Sequence, residues 1–130
     1  MATDFQGNYF TNMAPVAIRR AESIRKMAAE LRDAYGHDVK LRPVSGSCTV
    51  ELGDSTWRLD MEDVDYLREV RHTYVAYDPR TGRDRQHSRA TSMVRMERAL
   101  ASRLAEYARQ ERISELLADG MAYIDAIAAA

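Results

Sequence analysis

Two strand-like stretches joined by one turn constrain the fold more than anything else in this chain. Val70-Arg-His-Thr-Tyr-Val-Ala-Tyr77 alternates like a strand, and Arg83-Asp-Arg-Gln-His-Ser-Arg89 returns as a polar one. Between them lies Asp78-Pro-Arg-Thr-Gly82. Proline pre-sets φ at the first corner of such a turn, and glycine supplies the positive φ that closes it. A hairpin is therefore expected here, handing the chain to the longest helical pattern in the protein.

Upstream the same period of two recurs. Val39 and Leu41, with Pro43 as an extension, alternate with Lys40 and Arg42. Cys48, Val50 and Leu52 alternate with Thr49 and Glu51, and Trp57 and Leu59 with Thr56 and Arg58. Ser45-Gly46-Ser47 and Gly53-Asp54-Ser55 are the turns between them, so three short strands form a meander with one apolar face. Before it, Pro15 suits a first helical turn, and Ile18, Ala21, Ile24, Ala28, Leu31 and Tyr35 recur at helical spacing up to Gly36. That helix should cover the sheet. Residues 1–13, with Phe5, Tyr9 and Phe10 among polar neighbours, show no period and are expected to form an N-terminal arm that docks through its aromatics.

Asp60 to Val70 reads as a short helix, with Asp60 as N-cap, Asp63 at the third position, and Val64 and Leu67 inward. The acids Asp60, Glu62, Asp63 and Asp65 fit that helix start better than a metal site, because neighbouring helical positions fan apart. Past the hairpin, Met93, Met96, Leu100, Leu104 and Tyr107 mark a helix over about 89–111. Ile113, Leu116, Leu117, Met121, Ile124 and Ile127 form a second stripe. The step from Tyr107 to Ile113 turns about 600°, so the apolar face jumps near 108–112. Either the helix breaks there and folds back, or it runs on with a new face for a partner chain. The second is the expectation, with those six residues making a homodimer, and Gly120 marks a possible further turn.

The fold class expected is α+β: an antiparallel meander plus hairpin covered by an N-terminal helix and a long C-terminal helical region. At 130 residues, 14–130 forms one domain, with 113–130 as its dimerisation segment. The order helix, three strands, short helix, hairpin, long helix resembles that of small secretion-chaperone folds, which are dimers. The likeness is in element order only, and no function is carried from it.

Chemistry is sparse. Cys48 is the only cysteine, so no disulfide can form within the chain, and it sits on the apolar phase of a strand, as an inert packing thiol does. No zinc spacing, nucleophile elbow or phosphate-cradling glycine loop is present. The expectation is a non-catalytic protein with no cofactor and no metal. It lacks a signal-peptide pattern and a membrane span of roughly 18 apolar residues, and so is expected in the cytoplasm.

Charge is unevenly placed. Residues 68–98 carry eight arginines against four acids, a net +4 inside a chain of net −1 and pI about 6.3. Arg71, Tyr74, Tyr77, Arg80, Arg83, Arg85 and Arg89 interleave cations with aromatics on the hairpin. Tyr and Arg are the residues enriched at binding hot spots, and the same set can meet phosphates and stack on bases. His72 and His87 lie on opposite arms and are expected to approach each other. The expected partner is an acidic protein or nucleoprotein surface, with adaptor, inhibitor or chaperone roles in view. Nucleic-acid binding by 71–98 is the alternative, disfavoured by the acidic balance of the whole.

Overall fold

The computed structural model describes residues 2–42, 46–61 and 68–130, with side chains from residue 15 onward except Met61 and Arg68. Helix α1 runs Ala2–Tyr35. Its apolar stripe buries Ala21, Ile24, Ala28 and Leu31, while Ile18, read as inward-facing, is 44% exposed. Gly36 ends the helix at φ 71°, donating its N–H to the Arg32 carbonyl at 3.1 Å. That answers a carbonyl the helix cannot satisfy internally. The helical backbone begins well before Pro15, so the stretch read as an aperiodic arm belongs to α1. Whether its aromatics dock lies outside the described side chains.

Five strands follow: β1 (Val39–Leu41), β2 (Cys48–Leu52), β3 (Ser55–Met61), β4 (Arg68–Asp78) and β5 (Arg83–Thr91). They form one antiparallel sheet in sequential order. Leu41, Cys48, Leu59 and Val70 lie side by side in register, as do Val39, Val50 and Trp57. All are buried except Leu41, which is half-buried, and they pack with the α1 stripe and with Met96 and Leu100. The alternation read from 39 to 59 is therefore the core face of the sheet. The expected extension to Pro43 lies outside the described residues.

Two further elements differ from the sequence reading. The ends of the expected short helix are strand: Asp60 pairs with Glu69, and Met61 with Arg68. Asp60 bonds the Arg58 guanidinium, with ion-pair oxygen and nitrogen 2.7 Å apart, instead of capping a helix. Positions 62–67, which hold Asp63, Val64 and Leu67, lie outside the described residues. The long helix α2 (Met93–Ala118) starts later than expected, because β5 keeps its pairing to Thr91 and Ser92 caps the helix, accepting the Arg95 N–H at 3.3 Å.

Of the two readings at 108–112, helix α2 follows the expected one and does not break. It continues to Ala118, and the chain reverses at Gly120, φ 91°, into α3 (Tyr123–Ala129). Leu116 and Ala126 are buried, and Arg109 donates to the Ile127 carbonyl at 3.4 Å, so α3 returns along the end of α2. Among the described residues no helix is long and apolar enough to cross a membrane.

Candidate functional site

Strand β3 pairs with β4 only as far as Thr56 opposite Thr73, whereas β4 and β5 stay paired out to Asp78 opposite Arg83. Residues 74–78 and 83–87 thus project past β3 as a two-stranded ribbon. Side chains alternate across it. Register puts His72, Tyr74, Ala76 and Asp78 with Arg83, Arg85, His87 and Arg89 on the face shared with buried Val70, the helix side. Arg71, Thr73, Val75 and Tyr77 take the other face with Asp84, Gln86 and Ser88.

The seven residues expected to bind a partner therefore divide. Tyr74, Arg83, Arg85 and Arg89 share the helix-side face, and Arg80 sits in the turn beyond them. Arg71 lies on the opposite face, ion-paired with Glu69 at 2.8 Å, and Tyr77 stands there 64% exposed.

On the helix side the rings form a run. Buried Trp57 stacks on His72 with centroids 3.8 Å apart and planes 12° from parallel. His72 lies 5.0 Å from Tyr74, which stacks on His87 at 5.4 Å. The Arg89 guanidinium stands over the Tyr74 ring, 5.7 Å from its centroid. Such cation–π contacts contribute about 0.5–1 kcal/mol at exposed sites. Burial, and then the charge of Arg89, hold the His72 imidazole below its ordinary pKa of 6.5. His72 and His87 are thus joined through Tyr74. Trp57 was read only as a core residue, because its place in the run depends on β3–β4 register.

The turn is held by Asp78, which is 7% exposed. Its Oδ1 accepts the Arg80 backbone N–H at 2.9 Å, and its carbonyl accepts the Gly82 N–H at 2.9 Å. Gly82 takes φ 68°, as the turn pattern requires. The carboxylate also faces Arg80 Nε at 3.6 Å and Arg85 Nη1 at 3.8 Å. It is the one acid in the register set of this face, and its bonds are spent on its own turn. Arg83, Arg85 and Arg89 therefore leave the face strongly positive.

The reverse side of the sheet carries a groove of about 540 Å³ lined by Lys40, Arg42, Thr49, Thr56, Arg58 and Arg71 among others. Arg58 and Arg71 are each paired to a carboxylate of their own strand, while Lys40 and Arg42 add further positive charge to the groove. Cys48 is 1% exposed, and burial pushes its thiol up to about 11, the opposite of what a thiolate nucleophile requires.

No family model, curated protein or solved structure matches this chain.

Proposed function

We propose that this is a non-catalytic interaction protein, of adaptor, inhibitor or chaperone type, that docks the helix-side face of its β4–β5 ribbon on an acidic protein or nucleoprotein surface. One observation carries the reading: a projecting ribbon gathers Arg83, Arg85 and Arg89 over a single carboxylate already committed to its own turn. The ring run argues for a protein partner over unpaired bases. Tyr74 packs against His72 and His87 and lies under Arg89, so it has little free ring face to offer a base. Guanidinium groups beside aromatic rings suit carboxylates and polar protein surface. The nucleic-acid alternative has exposed Tyr77 in its favour.

Anisotropy with a labelled polyglutamate peptide, a single-stranded oligonucleotide and a duplex separates the two. Polyglutamate should bind at low salt, weaken steeply as salt rises, and lose about tenfold or more in affinity with Arg83→Ala/Arg85→Ala/Arg89→Ala. Tighter binding to the single strand, weakened by Tyr77→Ala, would make nucleic acid the primary ligand. No binding to any probe at low salt overturns the proposal.

A homodimer through 113–127 belongs to the same proposal. The fold-back buries Leu116, yet Leu117 and Met121 remain part-exposed and Ile124 is 80% exposed. An apolar patch of that kind at a helix turn suits a symmetric contact with a second copy. The proposed setting is the cytoplasm, which suits a chain whose sole cysteine is a buried, free thiol.

A further inference from the structure

A second constellation lies where the end of α1 meets α2, away from the ribbon. The His37 Nδ1 sits 2.9 Å from the Glu51 carbonyl oxygen. A carbonyl only accepts, so Nδ1 carries the hydrogen, and in the neutral ring Nε2 must accept. Its partner is the Tyr107 hydroxyl, which therefore donates its proton to His37. Tyr107 stacks on Tyr35 with centroids 4.2 Å apart and planes 10° from parallel. Tyr35 in turn donates its hydroxyl to the Glu111 carboxylate at 2.8 Å.

Beside these rings opens a crevice of about 500 Å³ lined by Tyr35, Tyr107, Gln110, Glu111, Ser114 and Glu115. Tyr107 gives its proton to His37 outside the crevice and Tyr35 gives its own to Glu111, so both hydroxyls present lone pairs. Glu111 and Glu115, one helical turn apart, can only accept. Among the described residues the lining holds two negative charges and no cation. Arg112 approaches Glu115 from outside it at 3.8 Å, beyond hydrogen-bond range, with both side chains exposed. The raised Tyr35 phenol, set chiefly by its bond to Glu111, agrees with a negative local potential.

A crevice rich in acceptors beside an aromatic wall calls for a flat cation with several donors. We infer that this crevice binds a guanidinium group, carried by a small alkylguanidinium or by an arginine side chain. Its N–H fork can engage Glu111 and Glu115 while its plane lies on tyrosine. The inference does not rest on the ribbon reading.

Ethylguanidinium and N-acetylarginine methylamide, titrated at low millimolar concentration, should shift the Tyr35 and Tyr107 ring proton resonances saturably. The neutral isostere N-ethylurea should not. Either cation satisfies the inference, and their relative affinity tells a free small molecule from a peptide side chain. Glu111→Gln/Glu115→Gln should weaken binding about tenfold or more, as loss of charge-assisted bonds does. Glu106→Gln, on an exposed turn of the same helix, should change affinity less than about twofold, as expected for an exposed charge outside the contact. Arg83→Ala/Arg85→Ala should keep full affinity here even where it abolishes polyglutamate binding, so the two proposals fail separately. Equal response to N-ethylurea, no saturable shift, or unchanged affinity in a folded Glu111→Gln/Glu115→Gln protein overturns the inference.

Discussion

Asp78 is where the ribbon's order and its charge meet, and two substitutions separate them. Asp78→Asn keeps an oxygen to accept the Arg80 N–H but removes the charge facing Arg80 and Arg85. Those arginines are 84% and 61% exposed, so each lost pair costs about 0.2–1 kcal/mol. Asp78→Ala also removes the acceptor, and a hydrogen bond to a charged, buried group adds roughly 1.5–3 kcal/mol. The expected totals are about 1 kcal/mol for Asn and about 3 kcal/mol for Ala. Because the tip projects past β3, it can open without the core, so the loss belongs to local opening. Amide exchange at Gly82 and across 75–77 and 84–86 should quicken about fivefold in Asp78→Asn and about a hundredfold in Asp78→Ala, while amides of Val50 and Leu59 hold their wild-type rates. Asp78→Asn, with one negative charge fewer on the basic face, should also bind polyglutamate more tightly. Equal exchange in the two variants, or equal acceleration at Val50 and Leu59, would refute the assignment of Asp78 to a locally opening turn.

Three further outcomes follow. Because the folded His72 pKa lies below 6.5, the unfolded chain takes this proton first. Its contribution to stability is full above pH 6.5 and is lost as pH falls towards the folded value. Urea midpoints from pH 7.5 to 5 should fall more steeply in wild type than in His72→Gln, and parallel profiles would count against it. Cys48 has the opposite sign: raised from 9.0 to about 11, it contributes fully below pH 9 and loses that contribution as pH rises through 11. Its thiol should therefore resist a disulfide reagent at pH 8 until the protein unfolds, and prompt labelling of native protein would contradict its burial. For the dimer, sedimentation at micromolar concentration should show two copies together, and Leu117→Glu/Ile124→Glu should give a folded monomer. A wild-type monomer removes that proposal.

Local periodicity made much of the fold legible. The α1 stripe and the alternation of Val39, Cys48, Val50, Leu52, Trp57 and Leu59 mark the buried face because each element hides one side. The turn at 78–82 was legible for the same kind of reason, since its geometry is fixed within five residues. Asp60 misled because its capping pattern is local, whereas pairing with Glu69 across β3 and β4 is not. The rotated stripe after Tyr107 was read as a new face on a helix that runs on, and α2 does run on, the chain reversing only at Gly120. The end of α2 packs on α3 and no longer needs to follow the face that meets the sheet, so the helix runs on to Ala118 before the reversal at Gly120. The candidate face was half legible: composition named its arginines and the hairpin brought His72 towards His87, but only register could put Arg71 and Tyr77 behind it and bring Trp57 alongside.

Strand β5 has one further consequence, through its backbone. It closes the sheet on one side, and for nine residues its outward N–H and C=O groups have no neighbouring strand among the described residues. An open edge of that length is a template for pairing with another chain, and charged side chains along it are a usual guard. Arg83, Asp84, Arg85 and Arg89 supply that guard here. A partner that neutralises these arginines strips the protection from the strand that bears them, and a complex that stays soluble must therefore also cover the edge of β5.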